Sequence, residues 1–377
     1  MSGPSAKLVI VALSGGVDSA VAALLLKEQG HRVEALHMTN WDAADEYCTA
    51  GDDLRDATRV CRDLDLPLHH VNFTAEYRAR VFADFLSELR AGRTPNPDVA
   101  CNRHIKFGAF LDHALRLGAD CIATGHYARV DHGPPARLLL AADAHKDQTY
   151  FLHAIEPQAL SRTLFPLGNL AKAEVRALAR RHGLANHARP DSTGICFIGE
   201  RPFREFLAQY VPHSPGPILD DAGEVLGEHE GLPFYTLGQR QGLKVGGRAG
   251  HAAAPWYVAA KDQARNALIV VQDGNHPCLH QDTLVAGELR WFNGPPPGLR
   301  EGIALRARIR HGQVPAACRV WSTDAGGVLV RFDMPQKTPT PGQYVVFYRD
   351  DECLGGGTIE ATGSDTGSTA PECRRWA

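Results

Sequence analysis

Two segments far apart in the chain carry the side chains best suited to covalent chemistry. Residues 92–102 read GRTPNPDVACN and hold Asn96, Pro97, Asp98 and Cys101, while residues 191–200 read DSTGICFIGE and hold Cys196. A thiolate is a nucleophile, can carry a second sulfur as a persulfide, and can be resolved into a disulfide by another thiol. A nearby carboxylate can move a proton. Taken singly, Cys196 reads as a core thiol and Asp98 as a solvated charge or helix cap. Cys101 and Cys196 can meet only through tertiary folding. Pro95 and Pro97 stiffen the first segment and predict a shaped loop, not a helix or central strand.

A third segment suits phosphate. Ser14, Gly15, Gly16, Val17, Asp18 and Ser19 spell SGGVDS, directly after Ala12 and Leu13 at the end of an apolar run. The glycines let backbone approach an anion closely. The N–H groups opening the next helix have no helical acceptor, and the helix dipole adds to their pull on an anion. Ser14 and Ser19 add hydroxyls; Asp18 would hold Mg²⁺ or orient the loop. Met38, ending a second strand, could offer backbone to an adenine edge. Gly125, ending a later one, could leave room for the nucleotide. The loop is neither a GKS/GKT phosphate loop nor a GxGxxG turn.

Positioning these groups requires a scaffold. Apolar runs at 7–13, 32–38, 68–73 and 121–125 predict strands. Periodic segments at 19–29, 51–65, 76–91, 105–117 and 172–182 predict helices. Such alternation implies an α/β domain with a parallel sheet covered on both faces. Beyond about residue 201 the texture becomes rich in Gly and Pro. Short runs at 268–271, 284–291, 304–310, 317–322, 327–333 and 343–349 predict an antiparallel barrel or sandwich. The resulting division is a catalytic domain at 1–204, a small middle domain at 205–278, a β-barrel at 279–361 and a flexible tail at 362–377.

Composition excludes little. With 40 Lys+Arg against 43 Asp+Glu, the net charge of -3 neither requires nor forbids a nucleic-acid partner. Lys172, Arg176, Arg180, Arg181, His182 and Arg189, with Arg300, Arg306, Arg308 and Arg310, could meet phosphates or simply face solvent. No apolar run is long enough to span a membrane, so no membrane partner is expected. Nine cysteines without a CxxC pair argue against a secreted disulfide framework, a structural zinc site and a stable iron–sulfur cluster. A cytoplasmic protein without a protein-held metal is expected.

The SGGVDS loop resembles that of the PP-loop ATP-pyrophosphatases, which activate a substrate oxygen with AMP and release pyrophosphate. Much more of the chain resembles the tRNA-specific 2-thiouridylases, the bacterial MnmA family. The resemblance runs through NPD, ACN and STGICFIG, then GHYAR at 125–129, KDQTYFL at 146–152, FPLG at 165–168 and GERPFREFL at 199–207. It continues through YTLGQRQGL at 235–243, PWYV at 255–258, PGQYVVFY at 341–348 and CLGGGTIE at 353–360. It implies ATP and Mg²⁺ as cofactors and 2-thiolation of uridine 34 in the anticodon arm of tRNAs for Glu, Gln and Lys. It also implies a cytoplasmic persulfide donor or relay protein. On this resemblance Cys196 bears the persulfide, Cys101 is nucleophile or disulfide partner, and Asp98 is acid/base. Asn96, Pro97 and Asp98 meet the target base. Lys146, Asp147, Gln148, Arg310 and His311 meet tRNA, and His126 and Gln343 take part in substrate recognition. Ala20 stands where this family often has a second Ser. Two other readings fit the phosphate loop and the basic segments. One is a PP-loop ligase or amidotransferase acting on a small molecule. The other is a nucleotide-regulated tRNA-binding protein without turnover.

Overall fold

The computed structural model describes residues 6–41, 50–190, 203–246 and 254–363. Cys196 and its segment, Cys48, Cys373 and most of the predicted tail lie outside these.

The N-terminal runs form a five-stranded sheet. Its order is Leu68–Asn72, Arg32–Thr39, Leu8–Ala12, Cys121–Ala123, Thr163–Leu164. Every neighbouring pair is parallel. The central strand is apolar throughout because helices cover both faces, and Val9, Ile10 and Val11 are fully buried. Strand order reverses beside Leu8–Ala12, between chain neighbours to one side and Cys121–Ala123 to the other. Ligands of open α/β sheets bind in the crevice at such a point, beyond the carboxyl ends of the strands.

The turn-rich region builds a four-stranded sheet ordered Trp256–Asp262, Ala267–Gln272, Gly216–Leu219, Val225–His229. The run at 268–271 therefore belongs here, through parallel pairing of Leu268 and Ile269 with Ile218 and Leu219, and does not open the barrel. Six strands then make the barrel: His280–Trp291, Val328–Lys337, Ala316–Ser322, Ile303–Arg308, Tyr344–Arg349 and Glu352–Gly363. Pairing of His280–Trp291 with Glu352–Gly363 closes it. That last strand takes in Thr362 and Gly363, the first two residues of the predicted tail. Two strands unforeseen from the sequence, Arg129–Asp131 and Arg137–Leu139, extend this sheet from within the N-terminal region.

The largest correction falls on residues 92–102. Asp98 and Cys101 are not on a loop. Pro97–Cys101 is α-helical and runs through a π-helical stretch, Asn102–Ala109, into Phe110–Arg116. Pro97 occupies the first helical position, where its missing N–H would have no acceptor anyway. Asn96 caps the helix, accepting the Asp98 N–H at 3.2 Å.

Most described cysteines are small buried side chains. Burial pushes the Cys61 thiol up to about 11 and that of Cys318 up to about 12. Cys121 and Cys353 are raised by the same cause.

Candidate nucleotide and sulfur-transfer site

The SGGVDS loop lies at the reversal point of the parallel sheet. Ala12 and Leu13 are buried and offer only backbone to a ligand. Gly15 takes a left-handed φ of 84°, and a Cβ there would lie 2.6 Å from the Asp53 carbonyl. The Ser19 hydroxyl donates to the Gly16 carbonyl at 3.0 Å and lies 3.2 Å from the Ser14 hydroxyl. The helix Val17–Glu28 has Gly16 at its N-cap with no side-chain cap, so its opening N–H groups have no side-chain acceptor among the described residues.

Several residues brace this loop that the sequence did not single out for it. Lys172 donates from its ammonium to both Asp18 carboxylate oxygens, at 2.7 and 2.8 Å. The Tyr127 hydroxyl donates to Asp18 Oδ1 at 3.0 Å. Asn186 Nδ2 donates to the Gly15 carbonyl at 2.8 Å. Arg189 bridges to Asp53 and to Asp56, the latter at 2.6 Å. Lys172 and Arg189, read as possible phosphate contacts, are thus tied into the loop's own support. Gly125 is needed for a close approach, though by protein. A Cβ there would lie 2.7 Å from Ser19 N and 2.8 Å from the Asp18 carbonyl carbon. Met38 is half-buried beside the core.

Asp98 and Cys101 are three residues apart on one helix and so share a face. The Cys101 side chain is buried, and Asp98 Oδ1 is buried without a hydrogen-bond partner among the described residues. A buried unpaired carboxylate oxygen is costly and points to a group still to arrive. His311 packs on Phe151 with ring centroids 4.4 Å apart. Burial and Arg308 lower its pKa, while Asp147 and Asp98 oppose them.

The remaining recognition candidates divide between exposed and internal positions. Lys146 is half-buried and Arg310 and His311 are exposed. Arg310 also donates to the Thr338 carbonyl at 2.8 Å. Asp147 is buried, so its carboxylate is internal instead of an RNA-facing group. It accepts the Ala141 N–H at 2.7 Å and the Thr149 hydroxyl at 2.6 Å, and pairs with buried Arg308 at 2.6 Å. Gln148 accepts the Tyr127 N–H at 2.9 Å. Gln343 donates to the Thr94 carbonyl at 2.7 Å, just ahead of Asn96. His126 is buried against Phe107 and Phe165, its Nδ1 2.8 Å from the Thr124 hydroxyl. Burial, with Lys106 adding to it, holds its imidazole well below the usual range and therefore neutral.

Three family models match in succession. They are described as a tRNA methyl transferase HUP domain over residues 7–200, a tRNA methyl transferase PRC-barrel domain over 204–272 and an aminomethyltransferase beta-barrel domain over 281–359. Among curated proteins, the tRNA-specific 2-thiouridylase MnmA of Chromohalobacter salexigens is 56% identical over 94% of this chain and 92% of its own length. The protein of the same name from Alcanivorax borkumensis is 54% identical over 95% and 99%. That from Legionella pneumophila is 52% identical over 93% and 98%.

Proposed function

Because this chain belongs to the family of tRNA-specific 2-thiouridylases, we propose that it uses ATP to replace O2 of uridine 34 in tRNA with sulfur. The observation that carries the reading is the joining of the two kinds of chemistry in one chain. A phosphate-binding loop sits at the sheet's reversal point, and a capped helix carries the buried Cys101 beside a half-buried Asp98 whose Oδ1 has no hydrogen-bond partner among the described residues.

In this reading the backbone of residues 12–19 cradles ATP, with Met38 and Gly125 bordering it. The uncapped helix start fits the phosphates. Asp18 would meet the Mg²⁺ that accompanies ATP, exchanging part of its contact with Lys172. That ion would supply neutralising charge for the departing pyrophosphate. Uracil O2 attacks the α-phosphate and pyrophosphate leaves, making the oxygen a leaving group. Cys196 carries the terminal sulfur of a persulfide from a cytoplasmic donor or relay protein. Cys101 attacks the inner sulfur, the terminal sulfur goes to C2, and AMP departs with the electrons of the C–O bond. A thiol reductant reopens the Cys101–Cys196 disulfide. Asp98 moves the proton that addition and collapse require. Asn96, Pro97, Lys146, Arg310 and His311 hold the anticodon arm of tRNAs for Glu, Gln or Lys, and the internal His126 and Gln148 support that surface from beneath. Asp147 and Gln343 act by shaping that surface. The three family-model matches accord with a catalytic domain, a middle domain and a barrel near the 1–204, 205–278 and 279–361 divisions. No helix among the described residues is long and apolar enough to cross a membrane, and a cytoplasmic site of action is part of the proposal.

The test combines the full chain with unmodified tRNA(Glu), ATP, Mg²⁺ and a persulfide donor. Nucleoside mass spectrometry should find 2-thiouridine, with AMP and pyrophosphate formed in step. Pyrophosphate release that ignores tRNA would favour a small-molecule ligase. Tight tRNA binding with no pyrophosphate would favour a non-catalytic binder. Either result overturns the reading.

Within that assay Gly125→Ala is expected to slow pyrophosphate release about 100-fold, since an added Cβ must push the loop and helix start aside. Gly16→Ala is the comparison: its Cβ meets only the Ser14 hydroxyl, at 3.4 Å. It should keep the wild-type melting temperature, so any rise in its KM for ATP reports on the ligand. A Gly125→Ala enzyme with unchanged kcat and KM for ATP would show that the approach is not needed.

A further inference from the structure

We infer that Lys261, on the middle sheet, is a positioning residue that fixes the helix bearing Asp98 and Cys101. The inference rests on the thiolation reading for its consequence in turnover, but its structural part stands apart from it.

The helix Ala83–Arg90 ends just before this segment, with Gly92 in a left-handed φ of 78°. The N–H groups of Ala91, Gly92 and Arg93 turn back onto Ser87, Leu89 and Glu88 carbonyls, each at 3.0 Å. Carbonyls at a helix end carry partial negative charge and favour a cation. Lys261 supplies one. It reaches across from the strand Trp256–Asp262, and its ammonium donates to the Gly92 carbonyl at 3.4 Å. No ion pair of Lys261 with a carboxylate occurs among the described residues, and burial alone pushes the ammonium down to about 8. Lys261 is half-buried, and its contact with the Gly92 carbonyl ties the middle sheet to the turn that follows the helix.

The contact is close on both sides of the segment. A Cβ on Gly92 would fall 1.8 Å from Gln263 Nε2, so the middle sheet lies directly against the turn. From the barrel, the Pro341 carbonyl accepts the Thr94 N–H at 2.9 Å and Gln343 donates to the Thr94 carbonyl at 2.7 Å. A Cβ on Gly342 would lie 2.8 Å from Thr94 N. Residues 92–94 are thus gripped by the middle sheet and the barrel immediately before Asn96 caps the Asp98–Cys101 helix. Moving this grip moves the helix start, and with it the carboxylate and thiol.

The experiment replaces Lys261 by Met in the full chain, with Lys261→Arg as the conservative variant and Lys261→Gln as a smaller change should Met prevent folding. With tRNA and ATP saturating, the uncharged variant should lose about tenfold in kcat with the KM for ATP within twofold, and Lys261→Arg should recover most of it. The slope of log affinity for tRNA against log salt should not change. A slope reduced by about one would assign Lys261 to a tRNA phosphate and overturn the inference. A second readout needs no turnover: iodoacetamide alkylation of Cys101, followed by peptide mass spectrometry, should quicken several-fold in the uncharged variant. Unchanged alkylation overturns the inference even if wild-type thiolation is seen. Altered alkylation with no 2-thiouridine from the wild type would instead retire the thiolation reading and leave the positioning intact.

Discussion

Replacing Cys196 by Ala, or Cys101 by Ser, is expected to lower 2-thiouridine formation at least about a thousandfold while tRNA-dependent pyrophosphate release continues. The separation follows from the different chemistry each step needs. Adenylation draws on the loop at 14–19, whose hydrogen bonds run to Asn186, Tyr127 and Lys172. Sulfur transfer needs a thiol that can be reached and ionised. Cys61 and Cys318 are held up to about 11 and about 12 by burial, so neither is a thiolate near neutrality. Cys101 is buried too, and it is set apart by sharing a helix face with Asp98, the carboxylate proposed to move the proton. Ser is nearly isosteric with Cys, so Cys101→Ser should keep the wild-type melting temperature and lose only the soft nucleophile. Quantifying 2-thiouridine and pyrophosphate in the same reaction checks both halves. A Cys101→Ser enzyme retaining more than a tenth of wild-type thiolation would remove Cys101 from the sulfur path.

How far this site can be read from sequence depends on how local each cause is. The apolar run at 8–12 and the glycines at 15 and 16 announce a buried strand and an anion loop, because burial and backbone freedom are properties of the residues themselves. Pro97 shows the limit of that argument. It forbids a helix interior yet favours a helix start, and only the Asn96 cap decides between the two. The strands at 129–131 and 137–139 form a short local hairpin, and only the second reaches the barrel, through residues 352–353 more than two hundred positions away, so the sheet they extend is not legible locally. Long-range pairing of this kind also hid the ion pairs. Lys172 and Arg189 have the composition of a solvated basic helix and its flank, yet they brace Asp18 and Asp56. The KDQ string resembles a tRNA-contacting motif, but its three side chains separate in the fold. Lys146 stays half-buried, Gln148 turns back onto Tyr127, and Asp147 is internal.

That internal Asp147 leads to the largest expected effect on stability. Arg308→Met should cost about 3–5 kcal/mol, because it removes one member of a buried pair and leaves the other charge without compensation. The side chains of Arg308 and Asp147 are only 5% and 1% exposed, and their closest atoms are 2.6 Å apart. The Ala141 N–H and Thr149 hydroxyl would still reach Asp147, but neither carries the positive charge that the carboxylate would have lost. Arg308 also lies over the Tyr348 ring at 5.1 Å, and Tyr348 sits 3.2 Å from the Thr149 hydroxyl, so the variant disturbs a packed cluster. Arg308→Met with Asp147→Asn should recover a good part of the loss, since no unpaired charge remains. Urea denaturation of the wild type, both single variants and the double variant measures this, with coupling read from the four midpoints at constant slope. Strict additivity would mean that the pair does not act as a pair. The effect should reach the nucleotide loop as well. Asp147 precedes Gln148, Gln148 holds Tyr127 through both its side-chain oxygen and its own N–H, and Tyr127 donates to Asp18. A barrel residue thereby helps set the phosphate loop. The single Arg308 variant should accordingly show a raised KM for ATP at temperatures where it remains folded.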